Sequence, residues 1–256
     1  MVKRRNCLTE QAAAVLLCLC ALFAVSPLIL VAAASLRSGL SVFADFYLWK
    51  PSLLHAMTNS ILISFAASAG TIAVSVFAAY VFAKVKFRGR DFLFYLYIIV
   101  MMMPFQVTLL PQYIVSKRFE LYDTPLALIL PGIFAPFAVF LLAQIMKSVP
   151  DEVIEAVRLD TSSTFVVITR IVVPAAKPGI ICAWVLSFTE QWNAVAEPLI
   201  LLETRERFPL AVILNHASGD DVLCFAAVVM FAVIPLLLFA LFEEEIMEGL
   251  GEYRLK

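Results

Sequence analysis

Apolar residues fill long blocks of this chain, and charged residues interrupt them only briefly. Charge-free runs cover residues 11–36, 59–83, 92–116, 124–146 and 222–242. Another run, residues 178–202, contains only two acids. A transmembrane helix needs about 20 predominantly apolar residues, and each run is long enough. The pattern therefore predicts six membrane spans, at about residues 12–35, 59–83, 92–115, 124–146, 178–202 and 222–242.

The composition excludes a soluble protein. Of 256 residues, 62% are apolar and 15% are charged, and the mean hydropathy is +0.95. Soluble domains are about 45–50% apolar and about 25% charged. A formal net charge of −1 without a basic face also argues against nucleic acid as a partner. We expect an all-α, polytopic membrane protein, with residues 1–256 forming a single domain in the lipid bilayer.

The basic residues indicate the orientation. If the N-terminus is cytoplasmic and the spans alternate, 13 of the 19 lysines and arginines lie on the cytoplasmic side and 6 lie outside. Cytoplasmic loops normally carry this excess, so both termini are predicted to be cytoplasmic. The first span follows Lys3-Arg4-Arg5, and a cleaved signal peptide is an alternative. Its apolar core, however, exceeds the usual length of about 7–15 residues.

Small residues and helix breakers indicate a packed bundle. Small side chains recur at every fourth position of the second span, at Ala67, Thr71, Ser75 and Ala79. Such a stripe allows another helix to approach closely in lipid. The third and fourth spans contain breakers at Pro104, Pro111, Pro131, Gly132 and Pro136. Breakers persist at membrane depth where neighbours or a cavity satisfy the freed carbonyls. This favours a bundle around a pathway, although the prolines are also compatible with simple kinks.

The longest predicted cytoplasmic connection joins the fourth and fifth spans. Ser148 and Asp151 have the spacing of a capping box, and acids are favoured in a first helical turn. These features predict a short helix over residues 149–160. The Thr161-Ser162-Ser163 segment then interrupts it and can cap a second helix that ends at Pro174. The connection is either a docking surface for a soluble partner or a solvated loop at the membrane surface.

The same connection contains Glu155-Ala156-Val157, then Asp160, then Arg170-Ile171-Val172-Val173-Pro174. This order resembles the EAA loop of permease subunits in binding-protein-dependent ABC importers. Two positions depart from the family pattern: Val157 replaces an alanine, and Thr161 replaces a glycine. Further segments resemble the carbohydrate-uptake branch, in its maltose-permease-like subunit: Asn59-Ser60, Lys86-Phe87-Arg88-Gly89-Arg90, residues 103–111, Trp192-Asn193, Pro198-Leu199-Ile200 and Gly249-Leu250.

The resemblance implies a division of labour within a complex. A coupling helix within the loop 147–177 inserts into a cleft on an ATP-hydrolysing subunit. The implied partners are a second permease subunit, a dimer of ATP-binding subunits and an extracytoplasmic sugar-binding protein. The implied location is a bacterial cytoplasmic (inner) membrane, and no cofactor is implied. The candidate ATPase-coupling residues are Glu155, Ala156, Arg158, Asp160 and Thr161. Arg158 is expected to pair with Glu155 at i, i+3 rather than to contact the ATPase.

No enzymatic motif accompanies this pattern. None of the eight glycines is followed by lysine, so the phosphate-binding GxxxxGK[ST] sequence is absent. HExxH and GxSxG are absent as well, and no spacing suits a metal site. The expected function is a sugar or oligosaccharide permease subunit that is not itself an enzyme and is driven by a separate ATPase. A permease for another small polar solute and a non-transporting membrane scaffold are the alternatives.

The fifth predicted span carries the polar residues at membrane depth. Glu190, Asn193 and Glu197 are spaced i, i+3, i+7, which predicts one shared helical face beside Trp192. Charges at this depth usually face a wet cavity or a partner. We expect these four residues, with Gln106 from the third span, to line the translocation path, where Trp192 stacks on a sugar ring. Packing against a partner subunit is the alternative for the acids, and proton coupling is a third.

Overall fold

The computed structural model describes residues 7–36, 51–216 and 222–251, and all regular elements within them are helical. The helices are α1 (Cys7–Leu36), α2 (Pro51–Lys84), α3 (Arg90–Met101), α4 (Phe105–Arg118), α5 (Leu126–Ile133), α6 (Pro136–Ser148), α7 (Asp151–Asp160), α8 (Thr164–Ala175), α9 (Lys177–Trp192), α10 (Ala196–Leu201), α11 (Leu210–Asn215), α12 (Val222–Leu241) and α13 (Glu243–Gly251). The all-α fold class is confirmed. The chain termini, whose cytoplasmic location is predicted, lie outside the described residues.

Within the described residues, four stretches are long and apolar enough to cross a membrane: Ala14–Leu36, Leu53–Lys84, Leu126–Ser148 and Cys224–Leu241. Two further candidates are bent pairs of helices. The axes of α3 and α4 differ by 93°, and those of α8 and α9 differ by 83°. The number of spans reaches six if each bent pair crosses the membrane as one span. The six-span topology therefore stays a prediction.

The predicted third span, residues 92–115, is not one straight helix, because α3 and α4 meet at a sharp bend. Pro104 lies at the junction and begins the second half in an extended conformation. It has no amide hydrogen to donate to Val100, and its ring disfavours a helical Met103. Pro111 lies inside α4, so only one of the two prolines breaks the span.

The break in the fourth span is stabilised by α2. Pro136 begins α6 and cannot donate an amide hydrogen to the carbonyl of Gly132, four residues earlier. The Thr71 hydroxyl oxygen lies 2.7 Å from this carbonyl oxygen and 2.8 Å from that of Ala67 in its own helix. The Gly132 carbonyl also accepts the Ala135 amide at 3.0 Å. The Thr71 hydroxyl, whose one hydrogen serves two carbonyls, is a further donor from a neighbouring helix, as the sequence predicts for a packed bundle.

The central helix of the bundle is α2, which packs against α5, α6, α9 and α11. The small side chains of its stripe are all buried: Ala67, Thr71, Ser75 and Ala79. At Gly132 of α5, an added Cβ would lie only 2.9 Å from the Cβ of Ala67. The predicted close approach of another helix to this stripe is thus confirmed.

The last helix, α13, packs against the beginning of α9. A Cβ added to Gly249 would lie 3.1 Å from the Pro178 carbonyl oxygen and 3.2 Å from the Gly179 Cα. Both neighbours are backbone atoms, and these distances are tighter than an ordinary van der Waals contact, so the close approach favours glycine at position 249. This contact explains why the Gly249-Leu250 motif contains a glycine.

Candidate coupling site and translocation path

The short helix α7 exposes the candidate coupling positions Glu155 and Ala156. Ile154 is buried, and it anchors α7 in an apolar cluster that includes Tyr80 and Val149. The opposite side carries exposed residues at i, i+3, i+4 and i+7. We call this surface the exposed face of α7, and it consists of Glu152, Glu155, Ala156 and Leu159.

Leu159 is the unexpected member of this face. Its exposed fraction is 89%, and it lies on a strongly charged helix outside the candidate spans. Sequence reasoning overlooked it. The available signal was an apolar residue four positions after Glu155 and three after Ala156, on the same helical face. A single exposed leucine is normal on a protein surface, so Leu159 is of interest because it shares a face with Glu155 and Ala156.

Arg158 does not pair with Glu155, so this expectation is wrong. Its guanidinium donates a hydrogen bond to the Tyr80 hydroxyl oxygen of α2 at 3.0 Å. Tyr80 is fully buried, and a buried hydroxyl normally requires a hydrogen-bond partner. Arg158 therefore reaches back to the bundle, on the same side of α7 as Ile154, rather than outward.

The predicted capping box at the start of α7 is also wrong. The Ser148 hydroxyl lies in the last turn of α6 and donates to the Ile145 carbonyl at 2.7 Å. Asp151 instead accepts a hydrogen bond from the Lys84 ammonium at 2.7 Å. The same ammonium donates to the Val149 carbonyl. The hydrogen bond and positive charge of Lys84 hold the pKa of Asp151 below its ordinary value.

The turn after α7 does not need the family's glycine. Thr161 has φ −146° and ψ 136°, an extended conformation that suits a β-branched residue. Its hydroxyl oxygen accepts a hydrogen bond from the Ser163 amide at 3.2 Å. Asp160, the last residue of α7, is exposed. The chain thus passes from α7 to α8 without a left-handed residue.

The polar residues of the fifth predicted span do not share one helical face, because the helix is interrupted. α9 ends before Asn193 and α10 begins only at residue 196, so Glu190 and Glu197 lie on separate helices. Pro198 explains the interruption, since it cannot donate to the Ala194 carbonyl of a continuous helix. The single polar stripe predicted from the spacing is therefore wrong.

These side chains nevertheless remain on or near the subunit surface. Gln106, Glu190 and Asn193 are exposed, and Glu197 is half-buried. Glu197 lines a narrow cleft together with Ser64 and Gln191. The Ser64 hydroxyl is buried and has no hydrogen-bond partner among the described residues. Several polar groups therefore lie at or near the end of α9. Because α9 has 16 residues, this end lies about 24 Å from the start of the helix, which follows the coupling loop.

Trp192 is not available to stack on a ligand, so that expectation is wrong. It is 1% exposed. Its ring stacks on Phe188 at 5.6 Å and on Phe231 at 5.1 Å, and its indole nitrogen donates to the Phe231 carbonyl at 3.2 Å. Trp192 joins α9 to α12, which periodicity along α9 alone does not reveal.

The end of the bundle opposite α7 is held by a polar cluster that we call the distal clamp: Asp123, Thr204, Arg207, Asn59 and Ser60. One Asp123 oxygen accepts the Glu203 and Thr204 amides, both at 2.9 Å. The other accepts the Thr204 hydroxyl at 2.5 Å and the Arg207 guanidinium at 2.9 Å. Partial burial raises the pKa of Asp123, but these hydrogen bonds and the Arg207 charge outweigh it and lower the pKa to about 2.

Asn59 and Ser60 attach α2 to this clamp. The Asn59 amide donates to the carbonyls of Glu206, at 2.8 Å, and Phe208, at 3.3 Å. The Ser60 hydroxyl accepts the Leu210 amide at 2.8 Å. These bonds give the Asn59-Ser60 motif a structural role, although α2 begins eight residues before it, at Pro51.

A bundle of apolar helices with an exposed charged helix at one end is the architecture of a membrane subunit that a soluble partner can contact. Residues 71–243 match the family described as the inner membrane component of binding-protein-dependent transport systems. The chain belongs to this family, and it is thus a membrane-embedded subunit of a transport system.

Similar proteins support the assignment. An arabinooligosaccharides transport system permease protein, AraQ of Halalkalibacterium halodurans, is 30% identical over 196 residues, which cover 75% of this chain and 70% of the relative. A sn-glycerol-3-phosphate transport system permease protein, UgpE of Pectobacterium atrosepticum, is 28% identical over 76% of this chain and 71% of the relative. A solved bacterial ABC transporter involved in import of the acidic polysaccharide alginate has the same fold. Its chain is 18% identical, with a TM-score of 0.76 over all of this chain and 99% of that one.

Proposed function

We propose that this chain is the permease subunit of an ABC importer for a sugar or oligosaccharide, and that the exposed face of α7 docks on a separate ATP-hydrolysing subunit. The observation that carries the proposal is the exposure of Leu159 beside Glu155 and Ala156 on one helical face. Burial of a leucine side chain against a partner contributes about 1.5–3 kcal/mol.

The proposed assembly is completed by a second permease subunit, a pair of ATP-binding subunits and an extracytoplasmic sugar-binding protein. The termini of this chain are cytoplasmic in this arrangement, which agrees with the distribution of lysine and arginine. ATP hydrolysis belongs to the partner subunits, because this sequence lacks the motif that binds nucleotide phosphates.

Charge reversal at Glu155 tests the docking role. Glu155 is exposed, so Glu155→Lys should leave the free energy of unfolding within about 0.5 kcal/mol of wild type. Losing one partner of a buried charge pair at an interface costs about 2–5 kcal/mol, so ATPase-subunit affinity should fall at least about 30-fold. The measurement is the amount of ATPase subunit that co-purifies with the tagged chain.

Two variants sharpen this experiment. Leu159→Asp should weaken binding of the ATPase subunit as well, because it places an unpaired charge in the apolar part of the interface. Glu120→Lys makes the same charge reversal as Glu155→Lys on an exposed loop at the distal end and should bind normally. Normal co-purification and ATP-driven transport in both α7 variants would disprove the docking role.

The solute class is proposed from the polar groups at the end of α9 and from the relatives. A hydroxyl-rich solute can donate hydrogen bonds to the amide oxygens of Gln106 and Asn193. It can also donate to the carboxylates of Glu190 and Glu197. Two carboxylates disfavour an anionic solute such as glycerol 3-phosphate, since like charges in a low-dielectric site repel. Arabinotriose and radiolabelled glycerol 3-phosphate, supplied to cells that express the complete transporter, distinguish the two classes. Uptake of the phosphate alone would refute the sugar assignment.

A further inference from the structure

The cytoplasmic end of α2 contacts α7 at two points. Lys84 binds Asp151 in the first turn of α7, and Tyr80 accepts the hydrogen bond of Arg158 in its last turn. Tyr80 and Lys84 are four residues apart and lie on one face of α2, whereas Asp151 and Arg158 are seven residues apart and lie on one face of α7. The two helices are therefore joined at two places, about one turn apart along α2 and about two turns apart along α7.

The space around these contacts is not closely packed. A cavity of about 320 Å³ lies between α7 and the end of α2, and Lys84, Asp151 and Arg158 are among the side chains that line it. Ile154 and Val157 supply the apolar contact between α7 and the bundle. Apolar contacts are non-directional, so the two polar contacts add the directional restraint on the orientation of α7.

Lys84 is suited to this task by its surroundings. Its side chain is 6% exposed, whereas that of Asp151 is 59% exposed. A buried ammonium is costly unless it is paired and hydrogen-bonded, and here both the Asp151 carboxylate and the Val149 carbonyl accept from it. Through these two hydrogen bonds, Lys84 joins α2 to Val149, which precedes α7, and to Asp151, the first residue of α7.

We propose that Lys84 and Tyr80 are positioning residues for coupling: they make α7 and α2 move as one body when an ATPase subunit displaces α7. This inference rests on the proposed docking of α7. It assigns the transmission of movement to α2, a helix of 34 residues that also contacts the distal clamp through Asn59. The side chains that make these contacts differ from those of the exposed face, although Glu155 of that face also lines the cavity.

The test uses the complete transporter complex with ATP plus vanadate as the probe. Hydrogen exchange is followed in peptides covering residues 203–210, which α2 contacts through Asn59 and Ser60. Vanadate trapping should change this exchange by at least about fivefold in wild type, the lower end of typical coupling between sites. In Lys84→Met the change should fall below about twofold, while the ATPase subunit still co-purifies. Lys84→Arg, which keeps the charge and donors, should retain the response.

Further variants keep the test decisive. Asp151→Asn opens the same contact from its exposed side, so it serves if Lys84→Met does not fold. Tyr80→Phe removes the other contact and should also reduce the response. Lys86→Met removes a lysine that lines the same cavity and acts on Asp151 through its charge alone, with no hydrogen bond to α7, and it should retain the response.

The outcomes also separate this inference from the proposed function. No response at residues 203–210 in wild type, or an equal response in Lys84→Met, would overturn the positioning role. Loss of ATPase-subunit binding in Lys84→Met would overturn it too, because Lys84 would then act in docking. Undiminished binding in Glu155→Lys would instead refute the docking of α7 itself.

Discussion

Replacing Asp123 by asparagine removes the charge of the distal clamp with little other change. The residue has φ +58°, in the left-handed region, and asparagine adopts this conformation as readily as aspartate. The side-chain shape and the oxygen that accepts the Glu203 and Thr204 amides can be retained. The negative charge opposite Arg207 is lost. Asp123→Asn therefore imitates the protonated carboxyl without straining the backbone.

The pKa of Asp123 gives the size of the effect. Partial burial raises this pKa, but the hydrogen bonds from Thr204 and Glu203 and the charge of Arg207 lower it from 3.8 to about 2. One pKa unit corresponds to 1.36 kcal/mol, so the ionised form stabilises the closed clamp by about 2 kcal/mol. Because the folded-state pKa is depressed, this contribution is complete above about pH 4. It is lost as the pH falls through about 2.

Hydrogen exchange of the Glu203 and Thr204 amides measures this contribution directly. At pH 7, a loss of about 2 kcal/mol should accelerate exchange in Asp123→Asn by about 30-fold, if exchange follows opening of the clamp. The difference from wild type should shrink as the pH falls from about 4 to about 2. Glu120→Gln changes the same charge in the same loop, on a side chain that makes no hydrogen bond within the described residues, and should exchange as wild type. Exchange within twofold of wild type in Asp123→Asn would refute the reasoning.

Three further variants probe the bundle and the path. Thr71→Val removes the hydroxyl donor of Gly132 and should destabilise the protein by about 1–3 kcal/mol in thermal unfolding, whereas Thr71→Ser should not. Gly249→Val overpacks the contact between α13 and α9 and should cost about 1–3 kcal/mol in the same assay; wild-type stability would show that α13 does not pack there. In a background without native cysteines, Asn193→Cys should react with a hydrophilic thiol reagent while cysteine restored at Cys182 should not, because the former is exposed and the latter buried; equal rates would contradict this placement.

Hydropathy located the helices, but it could not predict where they break. Pro104 and Pro136 interrupt spans, whereas Pro111 and Pro131 lie inside helices. A proline always removes one hydrogen bond. Whether the helix then breaks depends on which other groups stabilise the turn. At the break before Pro136, one such group is the Thr71 hydroxyl of α2, which lies 61 positions before Gly132 in the sequence.

The candidate site shows the same limit. Local sequence spacing predicted a short helix over residues 149–160, and the structure has α7 at Asp151–Asp160. It could not assign the partner of Arg158, because Tyr80 is 78 positions away. It also favoured an accessible Trp192, since nothing near that residue in the sequence indicates that Phe231 covers its ring. Partners distant in sequence decided both outcomes.

The continuity of α2 has a consequence for how the two sides of the membrane can open. Between Asn59, at the distal clamp, and Lys84, beside α7, the helix rises about 37 Å without a break. A rod held at both ends cannot tilt at one end alone, so a displacement beside α7 is accompanied by a displacement at the distal clamp. In the proposed permease, the stiffness of this single helix would open the path to one compartment while closing it to the other, with no separate signal between the two ends.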